Sequence, residues 1–319
     1  MDINELKERQ SWSLEKKIDH SLGVIEDFYS QLGGAVAVSF SGGKDSTVLL
    51  WLVRKVYPDV KAVFCNTGNE FPDIVKFVRS KKEAGENIDI IYPSMKPKEV
   101  IATHGFPLIS KDVADKVWYA RHRPESVKAK IGIGEQGSGK YKIPMCYRYL
   151  LDAPYDISPK CCDILKKRPF ADYRKKHHVN FYVGTMAVES MSRTASYLRQ
   201  GSCNHYDWHD MRRTKSLPLS IWTDEDIWEC IRRYDIPIAD IYHKGAQRTG
   251  CMFCAFGAQF SDDVRLKMIY EMYPKFYDMC MGYENNGVTY REAMREFLGV
   301  NGLYLPDEQP QKEEELVLF

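Results

Sequence analysis

Seven residues, Ser41-Gly42-Gly43-Lys44-Asp45-Ser46-Thr47, set two glycines, three hydroxyls, a lysine and an acid directly after the apolar run 35–40. The run is short and rich in β-branched residues, which predicts a buried strand. Val48, Leu49, Trp51 and Leu52 follow at helical spacing, so the pattern is strand, glycine turn, helix. The first N–H groups of a helix have no intrahelical partner, and the helix dipole adds positive charge there. Such a turn binds a phosphate or sulfate. Gly42 and Gly43 let the backbone approach the anion. Ser41, Ser46 and Thr47 offer hydroxyls, and Lys44 offers a point charge.

A second chemistry is offered by cysteine. Cys161 and Cys162 are adjacent, and Cys251 and Cys254 form a C-x-x-C turn. Together they make four thiolates for one metal centre, or two pairs of buried free cysteines. Adjacent cysteines suit an iron–sulfur cluster better than zinc, because neighbouring side chains point apart. Lys166, Lys167 and Arg168 follow the first pair and read as cations beside an anionic substrate or as a solvated basic face. Cys203, His205 and His209 lack a fourth ligand and are not expected to bind metal. Two further glycine patterns, Gly132-x-Gly134-x-x-Gly137 and Gly134-x-x-x-x-Gly139-Lys140, sit between no clear strand and helix and are read as a flexible loop.

SFSGGKDST resembles the PP-loop of the ATP pyrophosphatase superfamily, to which the phosphoadenosine-phosphosulfate reductase family belongs. The resemblance runs over roughly residues 34–254. It implies that Ser39, Ser41, Gly42, Gly43, Lys44, Asp45, Ser46 and Thr47 hold the phosphates of ATP, or the sulfonucleotide of adenylyl sulfate or phosphoadenylyl sulfate, with Mg2+. Asn66-Thr67-Gly68-Asn69-Glu70-Phe71-Pro72 resembles the family's D-T-G-x-x-F-P-E segment beside the nucleotide, with Asn66 where the family has Asp. Gly184, Glu189, Ser190 and Arg193 match G-x-R-x-x-E-S-x-x-R, with Met186 in place of the arginine. Lys44, Asp45 and Arg193 are the implied catalytic residues. A turn at 104–111 ending in Lys111 is similar to family segments close to the loop. Cys161, Cys162, Cys251 and Cys254 resemble the ligands of a 4Fe-4S cluster in adenylyl-sulfate reductases and related PP-loop enzymes.

The elements that must position these groups follow from periodicity. Apolar residues from Leu14 to Leu32 make residues 3–31 an amphipathic helix closed by Gly33-Gly34. Strands are expected at 60–65, 88–92 and 181–184, and a helix at 73–84. Thr223 is the expected N-cap of a helix, with Asp226 three residues on. Residues 124–159 are irregular, residues 264–299 are helical, and 313–319 form an acidic and then apolar tail. Alternating strands and helices predict an α/β fold with a doubly wound, mostly parallel sheet, of the PP-loop adenine-nucleotide type, and a helical C-terminal extension. The expected division is residues 1–33 as an N-terminal helix, 34–235 as the nucleotide-binding domain and 236–319 as a C-terminal region carrying the second cysteine pair.

The 319 residues are 44% hydrophobic and 28% charged, with a net charge of +1, so bulk charge argues neither for nor against nucleic acid. No apolar run reaches the ~20 residues of a membrane helix, and the first residues have no apolar core of a secretory signal. Nine cysteines without such a signal suggest a reducing cytoplasmic setting and no membrane partner.

Three functions are compatible. The first is an ATP-dependent enzyme that adenylates a substrate and then transfers sulfur, taking a sulfur donor and, as PP-loop relatives do, a nucleic-acid acceptor. The second is a reductase of adenylyl or phosphoadenylyl sulfate to sulfite, using a thiol reductant. Those enzymes use a cysteine near the C-terminus, whereas the last cysteine here is Cys280, within an expected helix. The third is a non-catalytic sensor of nucleotide and redox state.

Overall fold

The structure, a computed structural model, describes residues 2–137, 139–260 and 264–308. The expected tail at 313–319 lies outside them.

The chain opens with α1 (Ile3–Gln10) and α2 (Leu14–Gln31), and the alternation begins at β1 (Val36–Ser39) and α3 (Lys44–Val56). It continues through β2 (Ala62–Cys65), α4 (Pro72–Glu83) and β3 (Ile88–Ile91). Next come α5 (Pro97–His104), β4 (Leu108–Ile109), α6 (Lys111–His122), α7 (Val127–Ile133) and the single turn α8 (Lys160–Cys162). Then follow α9 (Arg168–His177), β5 (Asn180–Val183), α10 (Met191–Gln200), β6 (Asn204–His205), β7 (Lys215–Ser216) and α11 (Asp224–Arg233). The last elements are β8 (Ala255–Phe256), α12 (Arg265–Met272), α13 (Pro274–Met281), the strands β9 (Glu284–Asn285) and β10 (Val288–Thr289), and α14 (Tyr290–Val300).

The chain packs as two compact units, each built from two separate segments. The first comprises Met1–Pro93 and Lys167–Thr249, the second Ser94–Lys166 and Gly250–Phe319. This differs from the linear division at residues 33 and 235. Helix α2 packs on α3 and α11 within the first unit, and residues 94–166 leave the sheet domain altogether.

The first unit holds a six-stranded sheet in the order β3-β2-β1-β5-β7-β6. All pairs are parallel except β6 with β7. Strands buried on both faces read as continuous apolar runs, and Val36, Ala37 and Val38 are all buried. Alternation assigns the faces. Ala37 and Phe181 pack with Val63 and Tyr173 of α9 on one side. On the other, Tyr182 packs its ring on Phe28 and donates its hydroxyl to the Ile25 carbonyl of α2 at 2.8 Å. Helices on both faces make the doubly wound sheet expected from sequence. Strand order reverses between β1 and β5, the crevice where such sheets bind ligands.

In the second unit β4 pairs in parallel with β8, and Phe106, Tyr155 and Tyr290 form an aromatic core.

Three elements differ from expectation. Residues 3–31 are two helices, because Ser13 caps a new start by accepting the Lys16 N–H. Residues 264–299 are three helices, broken at Tyr273-Pro274 and by a hairpin whose turn holds Asn286 and Gly287 at positive φ. Within 124–159, α7 and a 3-10 helix at Met145–Leu151 give regular structure.

Candidate functional site

Strand β1 delivers Ser39 to the sheet's carboxyl edge, and the chain turns sharply through Ser41-Gly42-Gly43 into α3. Gly42 has φ +73°, and a Cβ there would lie 2.8 Å from an Ile74 methyl and 2.9 Å from a Val78 methyl. Gly43 is the N-cap of α3 with ordinary φ, yet a Cβ would meet the Thr249 hydroxyl at 2.9 Å. Both glycines are therefore required by space, and the first by backbone as well.

The turn is knit together by its own hydroxyls. The Ser46 hydroxyl donates to the Gly43 carbonyl at 2.9 Å and accepts the Ser41 N–H at 3.1 Å. The Lys44 N–H, at the start of α3, donates to the Tyr242 hydroxyl at 2.8 Å, which also contacts the Thr249 hydroxyl at 3.0 Å. The Lys44 ammonium is buried and paired with Asp45 at 2.9 Å and with Asp224. Burial, the largest single influence, works against its charge, but the two carboxylates raise its pKa above the ordinary lysine value. Lys44 thus stays a cation.

A cavity of about 550 Å³ opens over this turn, a usual size for a small-molecule site. Of the expected residues, Ser39, Ser41, Gly43, Lys44, Asp45, Ser46, Gly184, Glu189 and Arg193 line it. Gly184 sits close against the Asp45 carbonyl, where a Cβ would approach to 3.3 Å. Arg193 pairs with Glu189, and Arg248 reaches the same carboxylate at 4.0 Å. Burial and then the nearby Arg248 lower the Arg193 pKa. An anion between the two guanidiniums would relieve that repulsion.

Other expected residues stand elsewhere. Gly42 shapes the turn from outside the cavity wall, and Thr47 spends its hydroxyl on the Gly43 carbonyl at 3.0 Å. Ser190 caps α10 by accepting the Arg193 N–H at 3.2 Å. Asn66, Thr67 and Gly68 do not line the cavity. Their loop closes on itself, because Glu70 accepts from the Thr67 N–H at 2.9 Å and Asn66 from the Gly68 N–H at 3.1 Å.

Beyond the expected motifs, Asp224, Glu225, Tyr242, Arg248 and Thr249 also line the cavity and were not anticipated. Asp224 and Glu225 lie in the first turn of α11, between the expected Thr223 cap and Asp226, which form a capping box. Arg248 and Thr249 lead directly into Gly250 and the second cysteine pair.

The four candidate cluster cysteines all belong to the second unit. Cys161 packs with Val100, Ile164 and Leu165, against which Cys162 and Phe256 also pack. The β4–β8 pairing therefore sets Cys254, one residue before β8, in the same neighbourhood. A hydrogen bond between the adjacent thiols, with Cys161 the donor, is the main influence on both. It raises Cys161, which burial and the other three cysteines push further up, and lowers Cys162 to about 6, helped by Lys111 and Lys166 against burial. Lys111 from the 104–111 turn thus serves the cysteines, and Lys167 and Arg168 are exposed at the start of α9. Among the described residues no three His, Cys, Asp or Glu side chains converge closely enough to hold a metal ion. The four thiols of this unit are soft donors, whose chemistry suits an iron–sulfur cluster rather than a hard cation.

The Cys203 thiol lies 3.8 Å from the Tyr197 hydroxyl and 3.7 Å from His20, consistent with packing rather than ligation. Cys280 is buried in α13, and burial pushes its thiol up to about 12.

The model of the phosphoadenosine phosphosulfate reductase domain matches residues 35–121 and 135–256, covering the PP-loop and both cysteine pairs. The chain belongs to the phosphoadenosine phosphosulfate reductase family. An uncharacterized protein of Methanocaldococcus jannaschii is 27% identical over 288 residues, 86% of this chain and 55% of the relative. The chain thus spans about half the length of that relative. The adenosine 5'-phosphosulfate reductase of Halalkalibacterium halodurans is 23% identical over 83% of this chain and 90% of its own. A solved phosphoadenylyl-sulfate reductase from Candida auris, in a phosphate complex, superposes with a TM-score of 0.44 and 13% identity over 79% of this chain and 96% of its own.

Proposed function

We propose that this chain binds ATP at the PP-loop, adenylates an acceptor and promotes transfer of sulfur to it. The observation that carries the reading is the complete turn over the cavity, with Lys44 held charged at its floor and Arg193 and Arg248 on its wall. An acceptor oxygen attacks the α-phosphorus of ATP, and the bond to the bridging oxygen of pyrophosphate breaks. Charge builds on that leaving oxygen, where Lys44, the α3 amides and Mg2+ would stabilise it. The Lys44 N–H reaches the phosphate by exchanging its bond to Tyr242. Asp45 and Asp224 orient the ammonium. A sulfur nucleophile then displaces AMP, forming the carbon–sulfur or phosphorus–sulfur bond. Asn66, Thr67 and Gly68 are proposed to contact the nucleoside end, and Ser190 to support Arg193. Cys161, Cys162, Cys251 and Cys254 would hold a 4Fe-4S cluster, which when bound supplies a site for sulfur. A nucleic acid is the proposed acceptor class.

A second reading is favoured by the relatives named adenosine 5'-phosphosulfate reductase. There a thiolate attacks the sulfur of adenylyl sulfate, AMP leaves, and a second thiol releases sulfite. The buried Cys280 is a poor nucleophile, so that reading takes an external thiol.

Two assays on one anaerobic preparation separate them. ATP–pyrophosphate exchange that depends on an added tRNA or DNA acceptor supports the first. Sulfite release from adenylyl sulfate with a dithiol, without such exchange, overturns it in favour of the second.

A further inference from the structure

Of the six tryptophans, Trp208 is the one the fold leaves exposed, at 61%. It is displayed on an ordered loop, 206–214, between β6 and β7. Asp207 accepts the N–H groups of His209 at 3.2 Å and Asp210 at 2.9 Å, and its own N–H donates to the Thr214 hydroxyl at 2.9 Å. Tyr206 backs the tryptophan, with parallel rings 5.7 Å apart, and is itself anchored to α2 through Asp27 and Phe28.

Cations share this loop and the helix end bonded to it. Arg212 and Arg213 follow on the same loop, 83% and 72% exposed. Arg174, Lys175, Lys176 and His177 form the last turn of α9, and the Arg174 guanidinium donates to the Arg212 carbonyl, so the two segments share one edge. Across 174–178 and 206–213 five Lys and Arg face two acids, Asp207 and Asp210, in a chain whose net charge is only +1. Arg212 and Arg213 pair with those acids, but exposed pairs hold their partners weakly and yield to a phosphate.

We propose that this edge is a docking surface for a single-stranded polynucleotide, with a base stacked on Trp208 and the phosphates on Arg212, Arg213, Lys175 and Lys176. An aromatic platform flanked by guanidiniums is the chemistry by which proteins hold single strands. An acidic polypeptide would use the cations but has no bases for the ring. The loop leads into β7 and the end of α9 leads into β5, and those strands are parallel, so both segments lie at the amino edge of the sheet, opposite the PP-loop. Four residues of β5, roughly 13 Å of strand, separate the two edges. A polynucleotide passes from one to the other, which a small acceptor cannot. This inference rests on the proposed function only for its product, because docking is measured without turnover.

The test is fluorescence anisotropy of a labelled single-stranded RNA, titrated at several salt concentrations against the full chain. Trp208→Ala should weaken binding about tenfold or more, and Trp208→Phe should restore most of it. Arg212→Glu with Arg213→Glu should weaken binding and flatten the salt slope by about one to two. ATP affinity, measured on the same preparations, should stay unchanged and so report folding and the nucleotide site separately. Equal RNA affinity in Trp208→Ala overturns the proposal, as does binding of polyglutamate in preference to RNA. RNA docking without any exchange activity would leave it standing while the proposed function fell.

Discussion

Gly42→Ala and Gly43→Ala are adjacent, chemically identical changes for which the structure predicts opposite kinds of damage. At Gly42 the backbone sits at φ +73°, which costs an L-residue about 1–2 kcal/mol. The added Cβ would also approach the buried Ile74 and Val78 methyls to 2.8 and 2.9 Å, and overpacking of that kind costs about 1–3 kcal/mol. The sum is a loss of about 2–5 kcal/mol in folding stability. At Gly43 φ is −77° and the close atoms are the hydroxyls of Thr249, Tyr242 and Ser41. These are polar tips on the cavity wall, so stability should change by about 1 kcal/mol or less while nucleotide binding falls. Urea unfolding of both variants, with nucleotide titration of each, reads the two effects independently. A Gly42→Ala midpoint equal to wild type, or a Gly43→Ala variant as unstable as Gly42→Ala, would refute the geometry assigned to the turn.

The Lys17 ammonium is buried and donates to Asp226 at 2.5 Å and to the Gln10 carbonyl at 2.6 Å, so Lys17→Met should cost about 3–5 kcal/mol by stranding the carboxylate; an unchanged denaturation midpoint would contradict this. Cys161→Ser or Cys254→Ser should abolish the visible absorbance and iron content of the anaerobically reconstituted protein, whereas Cys230→Ser, in the other unit, should not; equal iron in all three would remove the cluster from the account. Burial works to raise the Asp307 pKa, but hydrogen bonds from Arg291 and Tyr277 hold it below the ordinary 3.8. Its contribution is therefore present above that pH and lost as pH falls through the folded value. Acid unfolding followed by near-ultraviolet circular dichroism should be less steep in Asp307→Asn, and superimposable curves would show that the carboxylate does not matter.

What could be read from the sequence was local. Strand β1, its glycine turn and α3 are contiguous, and every residue that shapes them lies within a few positions. The Thr223–Asp226 capping box was legible for the same reason. Asp224 was hidden inside that box, since an acid in a first helical turn is explained by the dipole alone, and only the packing of α11 on α3 brings it to Lys44. Tyr242 reaches the turn from 198 residues away and carried no motif. The Asn66–Gly68 loop was legible as a polar turn at a strand end, but the hold that Glu70 has on the Thr67 N–H and hydroxyl was not. The cysteine pairs were legible as chemistry. Their meeting in one unit depends on the pairing of β4 with β8 across 147 residues, nearly half the length of the chain, which no local pattern encodes.

The most direct measurement is anaerobic calorimetric titration of ATP with Mg2+, and of adenylyl sulfate, into wild type and Lys44→Ala. Magnesium-dependent ATP binding tighter than adenylyl sulfate binding is expected, weakened in the variant by about 1.5–3 kcal/mol, or roughly 10–150-fold in Kd. Equal ATP affinity in wild type and Lys44→Ala would contradict the assignment of the PP-loop cavity as the phosphate site.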